Sequence, residues 1–170
     1  MRWALAHLGQ TALALGQAAR AQALLDQALE LTSAAQEPWA AAWITTQLGH
    51  VAWRQGEHDL AQSRYAASLR FFCDNNLRWG IPECLEGLGA ILATQPPQNR
   101  ERATLLLSGA EALRRALHHA QPAPIRPTYE HALATLRADL GADQFASIWR
   151  EGQNAALGAV VTAALLTTDD

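Results

Sequence analysis

The stretch from Thr45 to Phe72, TTQLGHVAWRQGEHDLAQSRYAASLRFF, has the pattern of two helices joined by a turn. Its first half places Leu48, Gly49 and Ala52 on one helical face, and Gly56 interrupts that spacing. A second stripe with helical spacing then follows, made of Ala61, Tyr65, Ser68, Leu69 and Phe72. The pattern predicts a helical hairpin in which small residues let the two backbones approach closely.

The same hairpin pattern recurs along the chain. Leu-Gly pairs begin at residues 8, 48 and 88, and glycines stand in the turns at 16 and 56, so the interval is 40 residues. The second helices repeat as Ala21-x3-Leu25-x2-Ala28, Ala61-x3-Tyr65-x2-Ser68 and, after a two-residue insertion, Ala103-x3-Leu107-x2-Ala110. One hairpin cannot bury its apolar face alone, so three copies predict a stacked helical array.

This array resembles the tetratricopeptide repeat, although its 40-residue period is longer than the usual period of roughly 34 residues. The resemblance implies an all-α fold, a right-handed superhelix of three helical hairpins. We expect the hairpins to span residues 1–34, 38–75 and 79–120, and a helical C-terminal cap to span residues 121–170.

Two longer phrases resemble a particular group of proteins that carry such repeats. The phrases are RWGIPECLEGL, from Arg78 to Leu88, and RATLLLSGAEALR, from Arg102 to Arg114. They are similar to phrases in the C-terminal regions of bacterial LuxR-type, MalT-like regulators with an ATPase core. They are also similar to phrases in related ATPase-cyclase proteins. The resemblance implies a sensory or interaction arm of a bacterial regulator. A P-loop, a DNA-binding helix-turn-helix and a cyclase domain are absent from these residues, so the chain is either a fragment or a free-standing relative.

A different segment follows the repeats. The proline-rich joint Gln121–Pro127 leads into one apolar helical stripe ended by Gly141 and a second one ended by Gly152. The two stripes consist of Tyr129, Leu133, Leu136 and Leu140, and of Phe145, Ile148 and Trp149. We expect Phe145 and Trp149 to cover the apolar face left open by the last hairpin.

Composition narrows the classes of function. The chain has 170 residues and carries a formal net charge of −3. It is 49% hydrophobic and 17% charged, a composition typical of a folded globular protein. All 13 basic residues are arginines, which excludes lysine nucleophiles, and they form no broad basic footprint for nucleic acid. With no signal peptide and no membrane-spanning segment apparent, a cytoplasmic location is expected.

Catalytic and metal-binding motifs are also lacking. The pair His118-His119 does not have the spacing of two metal ligands on one helical face, and Ser63, Ser68 and Ser108 have no base at a fixed spacing. The arginines Arg114-Arg115 are interpreted as a solvated helix face. No enzymatic activity, cofactor or metal is therefore predicted.

A partner-binding groove is the stronger functional hypothesis. In arrays of this kind the first helices line the concave surface, and their stripe away from the hairpin seam faces a partner. That stripe contains Trp3, Gln10, Trp43, Thr46, His50, Trp53, Glu83 and Glu86. Tryptophans followed by two carboxylates suit an extended protein or peptide partner with apolar anchors and a basic end.

Three other interpretations remain open. Trp3 and Trp43 are 40 residues apart and could pack on each other between repeats without contacting a partner. Trp43, His50 and Trp53 could enclose a small-molecule effector. The array could also serve only as a structural self-association module.

Overall fold

The computed structural model describes residues 1–122 and 125–166, and these residues form an all-α array. The helices are α1 (Arg2–Ala14), α2 (Ala18–Ala34), α3 (Pro38–Gln55), α4 (His58–Asp74), α5 (Ile81–Thr94), α6 (Arg100–Leu117), α7 (Arg126–Leu140), α8 (Ala142–Asn154) and α9 (Leu157–Leu165). Short 3-10 turns at Arg78–Gly80 and Pro97–Asn99 precede α5 and α6. Part of the predicted proline-rich joint, Ala123 and Pro124, lies outside the described residues.

The predicted helical-repeat fold is confirmed, with the hairpins α1–α2, α3–α4 and α5–α6. Gly16 and Gly56 close the first two turns at φ values of 76° and 80°, where glycine avoids the steric cost of a side chain. The third turn uses Pro96 and Pro97 instead, within the two-residue insertion.

A glycine on the first helix of each hairpin allows the second helix to approach. A Cβ atom at Gly9, Gly49 or Gly89 would lie 2.7, 2.6 or 2.7 Å from the side chain of Leu25, Tyr65 or Leu107, respectively. These are the Leu-Gly positions of the repeat, so the small residues do mark the helix crossings, as the sequence predicted.

Successive hairpins stack through Tyr65 and its neighbours. A Cβ atom at Gly87 of α5 would lie 2.5 Å from the Tyr65 ring, which already contacts Gly49 of α3. The ring is 1% exposed. One aromatic side chain therefore both closes the second hairpin and docks the third hairpin onto it.

The tail differs in two ways from the sequence expectation. Gly152 does not end α8, because the helix continues to Asn154, and the glycine instead allows contact with α6, where its Cβ would lie 1.9 Å from Ser108 Oγ. A further helix, α9, also packs on α6, with Val160 against Gly109.

Phe145 is 7% exposed and stacks on Trp149 at a ring-centroid distance of 5.3 Å.

Helix α7 lies over α5 and is the tail element that most affects the candidate site. Leu133 and Leu136 of α7 belong to the same apolar core as α5, and residues 81–93 of α5 are all buried. The chain's own tail therefore covers the first helix of the third hairpin. Among the helices of residues 1–122 and 125–166, none combines the length and the apolarity needed to cross a membrane.

Candidate partner-binding surface

The predicted stripe divides into an accessible and a buried set of residues. Trp3, Gln10, Trp43 and Trp53 are partly exposed. The other four, Thr46, His50, Glu83 and Glu86, are 1%, 6%, 8% and 4% exposed. These four therefore do not line an open groove, because the first helices lie close together and α7 covers α5.

Glu83 is the centre of a buried hydrogen-bond network that joins three helices. Its Oε1 accepts from Gln47 Nε2 at 2.8 Å and lies 2.8 Å from His50 Nε2. Because a carboxylate only accepts, His50 Nε2 must donate to it, and His50 Nδ1 lies 2.7 Å from the Tyr65 hydroxyl. Gln10 of α1 donates to Gln47 at 3.1 Å and extends the network to the first hairpin.

The electrostatics of this network keep Glu83 ionised and Tyr65 neutral. Burial alone would raise the pKa of the Glu83 carboxyl. The hydrogen bond and charge of His50, the hydrogen bond of Gln47 and the charge of Arg114 together outweigh burial, so the pKa of Glu83 lies below its ordinary value. Burial, and then the negative charge of Glu83, raise the pKa of the Tyr65 phenol well above its ordinary value. The network thus satisfies buried polar groups at the hairpin seams.

Glu86 forms a second buried pair, with Arg114 of α6. Arg114 Nε and Nη2 each donate to a Glu86 oxygen at 2.6 Å. Burial raises the pKa of the Glu86 carboxyl above its ordinary value, although the hydrogen bonds and charge of Arg114 oppose that rise. Arg114 is 9% exposed, so its interpretation as a solvated face is wrong, since the guanidinium neutralises a carboxylate inside the fold.

Thr46 is also held inside the protein. Its hydroxyl donates to the carbonyl of Ala42 at 3.1 Å and lies 3.6 Å from Cys84 Sγ. Burial raises the pKa of the Cys84 thiol, which is 0% exposed. Both groups therefore contribute to packing between α3 and α5.

The accessible side chains include a row of tryptophans, which we call the tryptophan row and define as Trp43, Trp3, Trp39 and Trp79. Successive ring centroids along this row are 5.7, 5.2 and 6.2 Å apart. Trp39 is 40% exposed, and the other three are partly exposed. Trp79 also packs on buried Phe72 at 5.1 Å, which anchors this end of the row to the core.

The row includes two residues that the predicted stripe did not contain. Trp39 and Trp79 are 40 residues apart, like Trp3 and Trp43, so the 40-residue repeat interval could have identified them as equivalent positions. On the second and third hairpins the stripe began at Trp43 and Glu83, so it reached neither Trp39 in the first turn of α3 nor Trp79 in the 3-10 turn before α5.

Trp53 lies apart from the tryptophan row and stacks on His58 at 4.5 Å. Together with His50 and residues such as Tyr129 of α7, it lines a cavity of about 20 Å³. That space holds about one water molecule. Trp43 does not line this cavity, so the three residues proposed to enclose an effector are not brought together there.

Comparison with known proteins finds one repeat family that the first two hairpins match. Residues 1–74 match the family model described as tetratricopeptide repeat. No significant match was found among curated proteins or among solved structures. The matched hairpins and the all-α architecture define a tetratricopeptide-like helical-repeat fold. Repeats of this family generally mediate protein–protein interactions and are typically non-catalytic.

Proposed function

We propose that this chain is a non-catalytic protein-interaction module whose partner binds across the tryptophan row. The observation that carries the proposal is the continuous contact of four partly exposed tryptophans from α1, α3 and the turn before α5. Tryptophan is enriched among the residues that contribute most to binding energy at interfaces. Mutual stacking fixes these rings in advance, which reduces the entropy lost on binding.

The chemistry of the surface favours a protein segment that supplies apolar side chains. Arg2 lies over the Trp3 ring at 5.8 Å and forms an ion pair with Glu37, so these two charges beside Trp3 are already matched to each other. Glu83 and Glu86 bind partners inside the fold. The partner therefore needs apolar anchors and does not need the basic end that the sequence pattern suggested.

The proposed setting is a regulatory arm of a bacterial signalling or transcriptional regulator in the cytoplasm, with residues 121–170 acting as the cap of the array. The resemblance of the two phrases to LuxR-type and ATPase-cyclase proteins motivates this finer proposal. The phrases contact each other, since Glu86 belongs to the first and Arg114 to the second. Trp79, also in the first phrase, contributes directly to the tryptophan row.

The test is affinity isolation from the source cells with wild-type protein and with Trp39→Ala, followed by quantitative mass spectrometry. A matched control is Leu60→Ala, because Leu60 on α4 is 41% exposed and Trp39 is 40% exposed. A binding contribution of ~2 kcal/mol corresponds to roughly a 30-fold loss of affinity.

We expect the specific partners to be depleted with Trp39→Ala and retained with Leu60→Ala. Retention of every partner by Trp39→Ala, or equal depletion by both variants, would place the binding surface elsewhere and refute the proposal. Circular dichroism of each variant verifies that the fold is intact.

A further inference from the structure

A cavity of about 170 Å³ lies beside the turn that joins α8 to α9, and we call it the α9 cavity. Its walls come from α6, from the end of α8 and from α9, and one further residue comes from the turn before α5. The residues contributed by α6, α8 and α9 are all glycine, alanine, leucine or valine, and the residue before α5 is Arg78. The cavity is therefore apolar except for one arginine.

Small side chains on α6 leave this space unfilled. A Cβ atom at Gly109 would lie 2.8 Å from Val160, so α9 is already in close contact with α6 at that point. Further along α6, towards its C-terminal end, the residues that line the cavity are Ala112 and Ala116. Each carries a single methyl group, so neither reaches across to the α8–α9 turn.

The α9 cavity has a buried apolar part and an exposed rim. Leu113 and Val160 are 5% and 1% exposed, whereas Arg78 and Ala116 are exposed. The one charged side chain thus lies at the rim, where its charge stays hydrated, and the apolar walls lie further inside. This order matches a ligand with an apolar body and a charged end, because such a molecule buries its body and keeps its charge near water.

Arg78 is available to bind an anion. In residues 1–122 and 125–166 it forms no ion pair, whereas Arg100 and Arg114 of α6 pair with Asp139 and Glu86. A guanidinium group binds a carboxylate through two parallel hydrogen bonds, which are stronger than hydrogen bonds between neutral groups. The complementary charge for this rim is therefore a single carboxylate.

We propose that the α9 cavity binds a small monocarboxylic acid, with its carboxylate on Arg78 and its apolar chain between α6 and α9. An apolar cavity of about 150 Å³ admits benzene, so the volume here suits a body of roughly six to eight carbon atoms. Both sequence phrases contribute to the site, since Arg78 begins the first and Ala112 and Leu113 lie in the second. The site is separate from the tryptophan row and does not depend on partner binding there.

Isothermal titration calorimetry with hexanoate tests the proposal, and hexanol supplies the same chain length without the charge. We expect hexanoate to bind one to one and hexanol to bind at least about tenfold more weakly, because it makes no charge-assisted hydrogen bonds to Arg78. Arg78→Gln should weaken hexanoate binding by the same factor. The matched control is Arg70→Gln, which is exposed on α4 outside the cavity and should bind as the wild type does.

Two results would overturn the proposal at this stage. One is the absence of saturable hexanoate binding to the wild type up to about 10 mM, tenfold above a Kd of ~1 mM. The other is an unchanged affinity for hexanoate in Arg78→Gln.

Filling the cavity tests where the ligand lies. Ala112→Leu places a larger side chain in the space and should abolish hexanoate binding, whereas Ala134→Leu, at an exposed position of α7 outside the cavity, should not. Circular dichroism verifies the fold of each variant, and Ala116→Leu at the exposed rim makes the same test if Ala112→Leu disturbs the helices. Trp39→Ala should retain hexanoate binding, which separates this site from the tryptophan row. Binding that survives the filled cavity, or is lost in Trp39→Ala, would place the ligand elsewhere and refute the proposal.

Discussion

The Tyr65 hydroxyl lies 2.7 Å from Nδ1 of His50, and the two rings are 5.2 Å apart between centroids. Tyr65 belongs to the second helix of the central hairpin and His50 to the first. His50 also donates to Glu83 of the third hairpin. The buried Tyr65 side chain therefore belongs both to the polar network and to the apolar contacts between the hairpins. The stability of the array should therefore depend strongly on the surroundings of Tyr65.

Gly87→Ala should destabilise the fold by ~1–3 kcal/mol, because its new Cβ would lie 2.5 Å from the Tyr65 ring. The higher helix propensity of alanine, worth ~1 kcal/mol, offsets only part of that overpacking. The matched control is Gly158→Ala on α9, where nothing lies within 4 Å of a Cβ, so stability should be unchanged or slightly higher. Urea unfolding measures both, and equal midpoints for the two variants would contradict the close packing at Gly87.

Tyr65→Phe should lower the free energy of unfolding by ~1–3 kcal/mol, since it removes the hydroxyl that pairs with buried His50. The phenyl ring keeps the contacts with Gly49 and Gly87, so helix content should not change. Thermal unfolding followed by circular dichroism provides the measurement. A melting temperature equal to that of the wild type would indicate that His50 finds another partner.

Stability should fall in acid partly because of Glu83. Its pKa in the folded protein lies below the ordinary value of 4.5, so its contribution is fully present above that pH and is lost as pH falls through the folded-state pKa. Glu83→Gln should therefore lose less stability than wild type on acidification below pH 4.5. Glu101→Gln, at an exposed position of α6, is the control and should keep the wild-type dependence. An equal loss of unfolding free energy by Glu83→Gln and wild type on acidification would refute this assignment.

Arg114→Met should cost ~3–5 kcal/mol, because it leaves the Glu86 carboxylate buried without its partner. The double variant Glu86→Met/Arg114→Met should recover much of that loss, since neither charge is then left uncompensated. Arg115→Ala serves as the neighbouring control, because this side chain is 60% exposed and its pairing with Glu111 is worth ~0–1 kcal/mol. Urea unfolding of the wild type, Arg114→Met, Glu86→Met and the double variant completes the cycle. Simple additivity of the two single effects would count against a coupled pair.

Truncation after Leu140 should expose the face of α6 that packs on α8 and α9. Ser108 and Gly109 would lose their contacts with Gly152 and Val160, and the neighbouring apolar side chains would meet water. We expect aggregation and a lower melting temperature, measured by light scattering and circular dichroism. A truncated chain that does not aggregate and melts at the wild-type temperature would show that the tail is not a cap.

Several features of the fold could be predicted from local pattern alone. The spacing of Gly49 and Ala52 predicted the face of α3 that meets α4, because residues three apart share one side of a helix. Leu48, which the same pattern assigned to that face, instead packs with residues of α1 and α2. Gly152 was misread as a helix end, since a glycine that permits close backbone approach has the same sequence signal as a glycine that stops a helix. The candidate site was harder to predict than the fold, because exposure of a stripe depends on what packs over it.

The sequence by itself determined the hairpins, their 40-residue repeat and the small residues at their crossings, because helical periodicity and steric size act over a few residues. The tertiary structure alone decided that α7 covers α5. It also paired Glu83 with His50, 33 residues away, and Arg114 with Glu86, 28 residues away. Such contacts depend on the angle at which hairpins stack and on where the tail folds back. Those are properties of the whole packed core, and for that reason the carboxylates expected to meet a partner are bound within the chain.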